Sequence, residues 1–289
     1  MIVGFAPGGG TDLTARPVAQ KLSELLGQQV IVENRPGAAG NIATEQVARA
    51  APDGYTLLMG TIAALAINPS LYGNLRFDPE TDLAPVIQVV DATNVLALHP
   101  SVPANSVKEL IALAREKSLS AGSSGVGATG HLSIELFNLM AGVKLVHVPY
   151  KGGGPAMSDL LGGQVNLIFA TTASSISHLK SGRIKGIAVT TAKRSALLPD
   201  LPTISEAGLP GFDANNWYGL VVPAKTPRAI IDQLNAEVTK VLNMPDVKAT
   251  LFNQGLDPAP GTPEQFGAYI KSERVKWARV IKESGAKAE

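Results

Sequence analysis

Residues 2–13 read IVGFAPGGGTDL. Ile2 to Phe5 has the short apolar character of a strand, and Ala6–Gly10 breaks it. Thr11 and Asp12 then open a helix whose apolar face falls at Val18, Leu22, Leu25 and Leu26,. The same order of strand, glycine loop and helix returns at Arg35–Asn41 (RPGAAGN), Ser123–His131 (SSGVGATGH) and Lys151–Pro155 (KGGGP). Glycine lets the backbone approach a ligand closely. A helix N-terminus adds unpaired N–H groups and a partial positive charge. Together they make an anion site that needs no cationic side chain. One such loop is equally well a tight turn, but four in one chain favour ligand binding.

Working outward, Val/Ile-rich runs alternate with helical patterns. Strands are expected at Val30–Glu33, Tyr55–Met59, Val86–Val90, Asn94–Leu98, Leu145–Pro149, Val165–Phe169, Ile187–Thr190 and Gly219–Val222. This rhythm predicts an α/β fold with a mainly parallel sheet. Ser106 and Glu109 form a capping-box pattern,. Thr226-Pro227 and Thr262-Pro263 each place an N-cap Thr before an N1 Pro,. Pro17 is expected to distort the first turn of its helix. Leu96–Pro100 and Gly219–Pro223 are short apolar strands ending at Pro, and about 120 residues with their own βα series lie between them. Crossing at these two strands predicts two units, a discontinuous one of residues 1–98 with 221–289 and a continuous one of residues 99–220.

Composition narrows the function classes. The 289 residues contain no Cys, which removes disulfides, thiolate metal sites and cysteine nucleophiles,. The net charge is +1, no footprint for nucleic acid or an anionic membrane surface,. The longest apolar run, Ile62–Ile67, has six residues, far short of the ~18 of a membrane span,. No signal-peptide pattern is read at the opening MIVGF,. Gly125, Gly127 and Gly130 spell G-x-G-x-x-G, but the acid a dinucleotide ribose would need about 20 residues on is missing from LVHVPYK at Leu145–Lys151,. No P-loop and no G-x-S-x-G elbow occur,. The histidines, His99, His131, His147 and His178, form no HExxH. His131 fits a cleft residue or a packing residue, and Lys151 an anion partner or a solvated side chain. Asp12 fits a helix cap better than an acid or base.

The chain resembles the substrate-binding receptors of tripartite tricarboxylate transporters, the Bug-type receptors. The resemblance rests on FAPGGGTDLTAR from Phe5, VENRPGAAGNIATEQVARAAPDGYTLLMGT from Val32, GHLSIELFNLMAGVKLVHVPYKGGGPAMSDLLGGQVNLIF from Gly130, AVTTAKRSALLPDLPTISEAGLPGF from Ala188 and WYGLVVPAKTP from Trp217. It implies a two-lobed type II periplasmic binding fold with two crossover hinge strands, a periplasmic location and no catalysis. It implies a small carboxylate ligand and membrane transporter subunits as partners. No cofactor, metal, nucleic acid or membrane insertion is expected, and a monomer is. The ligand loops it implies are Phe5 with Pro7, Gly8, Gly9, Gly10, Thr11 and Asp12, and Gly127, Ala128, Thr129 and His131. Lys151, Gly152 and Gly153 form a third, Ala170, Thr171, Thr172 and Ser174 a fourth, and Thr61 and Ile62 flank the cleft.

The ligand carboxylate is expected against Gly8–Thr11, opposite Gly127–Thr129, because ligands of open α/β sheets bind beyond the carboxyl ends of strands. Gly9→Val should then weaken binding by roughly 1.5–3 kcal/mol. Many members of the resembled family carry Asp where this chain has Ala170. Without that charge an ammonium group would be buried unpaired, so carboxylates lacking an amino group are expected to bind better than glutamate or aspartate. Two other classes compete: an enzyme on a related two-lobed fold, and the effector domain of a transcription regulator. The related porphobilinogen-polymerising enzymes need a cysteine for their cofactor, and a regulator needs a helix-turn-helix segment; neither is present.

Overall fold

A computed structural model describes residues 1–288; Glu289 lies outside the described residues. The chain begins with β1 (Ile2–Val3), α1 (Gly10–Leu26), β2 (Glu33–Asn34), α2 (Asn41–Ala48), β3 (Leu58–Thr61), α3 (Asn68–Leu71) and β4 (Leu83–Ala92). It continues through β5 (Asn94–Leu98), α4 (Val107–Glu116), β6 (Ser120–Ser123), α5 (Thr129–Ala141), β7 (Val146–Pro149), α6 (Gly153–Leu161), β8 (Leu167–Thr171), α7 (Thr172–Lys180), β9 (Lys185–Val189) and α8 (Ile204–Ala207). It closes with β10 (Asn216–Pro223), α9 (Arg228–Asn243), α10 (Pro245–Asn253), β11 (Leu256–Pro258) and α11 (Pro263–Ser284).

Two sheets result, ordered β11-β4-β10-β3-β1-β2 and β7-β6-β8-β5-β9. The pairs β1–β2, β1–β3, β6–β7 and β6–β8 are parallel, as βαβ connections allow,. The crossing strands are not: β10 runs antiparallel to β3 and β4, and β5 antiparallel to β8 and β9. The sheets are therefore mixed rather than mainly parallel. A strand arriving from the other sheet has no crossover helix to reverse it.

The exchange between sheets is abrupt. Thr93 alone separates β4 in the first sheet from β5 in the second. On the return, the Thr190 N–H donates to Asn94 O (3.0 Å), and the Ala214 N–H donates to Thr190 O (2.9 Å). Residues 94–98 thus pair in the second sheet and 216–220 in the first, the reverse of the sequence expectation for both segments. Each is apolar and fully buried, so its pattern announces a central strand without saying which sheet holds it.

Capping corrects several local readings. Thr262 and Gln265 make a complete capping box at α11, and Thr203 with Glu206 makes an unforeseen one at α8. At α9 the cap residue is Pro227 rather than Thr226, and no side chain caps it. At α4, Ser106 accepts from the Glu109 N–H, but the Glu109 carboxylate turns to the Asn105 N–H (2.8 Å). Helix α1 runs through Pro17. The segment SAGS, where no strand was expected, is β6, an interior strand of the second sheet. Its small residues admit a close neighbour: a Cβ at Gly122 would lie 3.0 Å from Ile168 Cγ2. The core joins both sheets through Trp217 and Trp277, both fully buried, and Trp217 meets Phe266 edge-on at 5.4 Å.

Candidate functional site

The carboxyl ends of β1, β3, β6 and β8 converge on a cleft between the sheets. The cavity there measures about 60 Å3. Phe5, Gly9, Gly10 and Thr11 line it from the first lobe, with Thr61 at the end of β3. Ala128, Thr129, Gly153, Ala170, Thr171 and Ser174 line it from the second. No lining residue carries a charge. A larger groove of about 670 Å3 lies outside the first sheet, between the end of α1 and α9. The inner cleft is distinguished by chemistry: the buried atoms Thr61 Oγ1 and Asn94 Oδ1 have no hydrogen-bond partner, and both residues line it. Buried polar groups of this kind are almost always satisfied, so an incoming group has partners waiting.

The floor of the cleft is a chain of side chains that spans both lobes. Thr129 Oγ1 donates to Asn216 Oδ1 (3.1 Å), and Asn216 Nδ2 donates to Tyr218 Oη (3.1 Å). Thr11 stands within hydrogen-bonding reach of the same hydroxyl. Because Tyr218 Oη accepts from Asn216, its own proton is free to donate. Burial pushes Tyr218 up to about 12, so it stays a neutral donor at physiological pH. Asn94, Asn216 and Tyr218 escaped the sequence reading. The signal that could have found them is a polar residue at the mouth of each crossing strand, Asn94 before VLAL and Asn216 before WYGLVV.

Other expected residues stand outside the cleft. Pro7 and Gly8 are exposed, and Ile62 is fully buried in the core. Thr172 turns to the hinge, where its hydroxyl donates to Thr93 O (2.9 Å). Gly152 belongs to the lobe contact: a Cβ there would lie 3.2 Å from Ala6 Cβ. Gly127 does too, since a Cβ would lie 2.4 Å from Asn68 Oδ1. Lys151 is exposed and lines a separate outer chamber.

Asp12 does not cap α1; the cap residue is Gly9. Its buried carboxylate instead accepts from the Gly8 N–H (3.0 Å), Arg16 Nε (3.0 Å) and Asn34 Nδ2 (3.0 Å). Burial opposes its ionisation, but these bonds and the Arg16 charge outweigh it and hold the carboxyl below its ordinary value. The Gly8 N–H is thereby spent, which leaves Gly9–Thr11 as the cleft-facing part of that loop. Gly9 has room, with only Ala6 O at 3.6 Å from a Cβ. At Gly10 a Cβ would lie 2.7 Å from Tyr218 Oη and 3.1 Å from Thr171 Oγ1. Gly10, rather than Gly9, is therefore the position where a side chain obstructs closure.

His131 supports the opposite loop from behind. Its Nδ1 accepts from the Gly127 N–H (3.1 Å), and its ring stacks on His147 at 4.2 Å. His147 Nε2 pairs with Ser123 Oγ at 2.6 Å. Burial, and for His131 also the proximity of His147, lowers the two to about 3 and about 4. Both rings are neutral at physiological pH, and neither lines the cleft.

The chain matches known proteins along almost its entire length. The family model described as tripartite tricarboxylate transporter family receptor matches residues 14–286. Rpa4515 of R. palustris, solved with adipate, is 40% identical with a TM-score of 0.96, covering 99% of this chain and 97% of its own. The periplasmic binding protein BugD is 37% identical with a TM-score of 0.95, covering 100% and 98%. MatC from Rhodopseudomonas palustris, with bound malate, is 31% identical with a TM-score of 0.92, covering 97% of each chain. This chain belongs to the tripartite tricarboxylate transporter receptor family and has its two-lobed periplasmic binding fold.

Proposed function

We propose that the chain captures a small carboxylate in the inner cleft by closure of its two lobes and presents it to the membrane subunits of a tripartite transporter. The observation that carries this is a buried cleft lined by N–H and hydroxyl groups, with the Thr61 hydroxyl unpaired and no charged lining residue. Neutral dipoles fixed at helix N-termini bind an anion with little reorganisation. Likeness to the adipate-bound and malate-bound relatives supports the ligand class. The lobes divide at Thr93 and between Thr190 and Asn216, where sheet membership changes, and these segments serve as the hinge. The receptor acts as a monomer in the periplasm. No helix among the described residues is long and apolar enough to cross a membrane.

No acid lines the inner cleft. A ligand amino group would therefore be desolvated without a partner, and the ligand is a carboxylate without one. Calorimetric titration with adipate, malate, benzoate and glutamate tests this. Expected is binding of at least one non-amino acid with glutamate weakest; glutamate tightest overturns the selectivity, and silence from all four overturns the ligand class. Thr61→Val supplies the site control. Removing an unpaired buried hydroxyl should leave stability unchanged or raised by up to about 1 kcal/mol. It should weaken the bound acid by about five- to tenfold, the worth of one hydrogen bond.

A further inference from the structure

The loop that leaves β6 is gripped from the first lobe at a point outside the inner cleft. Tyr72, the residue after α3, donates from Oη to Val126 O (2.9 Å). Gly127 comes next, and the same segment encloses it. A Cβ there would collide with Asn68 Oδ1 and lie 3.1 Å from both Leu71 Cδ2 and Tyr72 Cε2. Gly127 also holds φ +85°, which disfavours any side chain,. Neither Tyr72, Val126 nor Gly127 lines the inner cleft. The two residues that follow, Ala128 and Thr129, do, and Thr129 carries the bond to Asn216.

Both halves of this contact are held stiffly. Asn68 is fully buried; its Nδ2 donates to Asn41 Oδ1 (2.6 Å) and reaches Ala39 O (3.4 Å). Ala38 and Ala39 keep positive φ (45° and 50°), which an L-residue does only where its surroundings impose it,. The π-helical turn Ala63–Ile67 leads into α3, and such turns are rare and concentrate at functional sites. On the second lobe, His131 holds the Gly127 N–H from behind. Two rigid parts thus meet through one hydroxyl, one carbonyl and a glycine with no room for a side chain.

We propose that Tyr72 is a positioning residue: it latches the two lobes together without touching the ligand, so that the closed form is populated before a ligand arrives. This rests on the reading of the chain as a receptor that closes on a carboxylate. A change in the closed fraction scales the apparent affinity for every ligand by the same factor, because the intrinsic affinity of the closed cleft is unaltered. A residue that touches the ligand discriminates among ligands; a latch outside the cleft does not.

The test compares the wild type with Tyr72→Phe, which keeps the ring and removes only the hydroxyl. Calorimetric titration with adipate and with malate should show both weakened about two- to fivefold, by the same factor. One hydrogen bond is worth about fivefold, and part of it is hidden where the closed form is already populated. The chain has no Cys, so one cysteine introduced in each lobe takes a fluorophore pair, and energy transfer between them reads lobe separation. Without ligand, the mean separation should be greater in Tyr72→Phe than in the wild type; saturating acid should bring the two to the same value. Unchanged affinity for both acids, a loss confined to one of them, or equal separations without ligand each overturn the latch while leaving the carboxylate site in place. If neither acid binds the wild type, the carboxylate reading falls, and the ligand-free separations alone decide the latch.

Discussion

The loop after β1 and the loop after β6 face each other across the cleft, and each sets glycine-rich backbone into its wall. The first is fixed by an ion: Asp12, buried, gathers the Gly8 N–H, Arg16 and Asn34. The second is fixed by two neutral rings: His131 accepts from the Gly127 N–H, and His147, stacked on it, pairs with Ser123. In both, the side chain that shapes the loop sits behind it and presents no charge to the cleft. The loops differ in what breaks them. A buried carboxylate with several donors is costly to delete, because its partners are left unpaired. A buried neutral imidazole tolerates replacement better and resents a proton instead.

The largest expected effect sharpens this contrast by deletion. Asp12→Ala should cost about 2–4 kcal/mol of unfolding free energy, since it orphans the Gly8 N–H and the Asn34 amide. Arg16 is half exposed and can turn to water, which keeps the cost from going higher. His131→Phe keeps a ring for the stack and loses one acceptor, for about 1 kcal/mol. Urea denaturation of the two variants measures both, and a His131→Phe cost equal to that of Asp12→Ala would erase the distinction.

Acidification should separate the loops by pH. The folded histidines titrate near 3 and near 4, below the ordinary 6.5, so the unfolded chain binds protons the folded one refuses. Their contribution is complete above about 6.5 and drains away as pH falls through 6.5 towards 4,. For His131 alone the loss between pH 7 and 5 is on the order of 2 kcal/mol. His147 is only half-buried and contributes less, and Glu135, 3.7 Å from His131 Nε2, offsets part of the cost. The Asp12 contribution has the opposite range: it is complete above the ordinary 3.8 and is lost below it. Thermal melts from pH 7 to 5 should fall in the wild type and flatten in His131→Phe. A fall of the same size in both would remove the histidines from the account.

The smallest effect is read in binding. Gly10→Ala places a methyl against Tyr218 Oη and Thr171, across the line where the lobes meet. It should weaken carboxylate binding about tenfold or more, the equivalent of about 1.4 kcal/mol. Gly9→Ala, with open space beside it, should change affinity less than threefold. Reversal of that order would mean that ligand contact at Gly9, rather than lobe closure at Gly10, governs affinity.

The sequence by itself determined the strand–glycine–helix junctions and the alternation of strand with helix. Alternating apolar runs fix element type through local periodicity, and glycine at a loop marks close backbone approach wherever that loop ends up. Strand β5 stands at its expected Asn94–Leu98. Local pattern could not say which sheet claims β5 and β10, because a fully buried strand presents the same apolar face to either. It could not say which way a polar side chain turns. Asp12, His131 and Thr172 sit in or beside the ligand loops yet all point away from the cleft, while Asn94, Asn216 and Tyr218 come to it from strands that looked structural. Residues 11, 94, 129 and 218 meet only when the chain has crossed between its sheets and returned. The polar floor of the cleft is thus a product of long-range strand pairing, in which a shift of one residue turns every side chain to the opposite face.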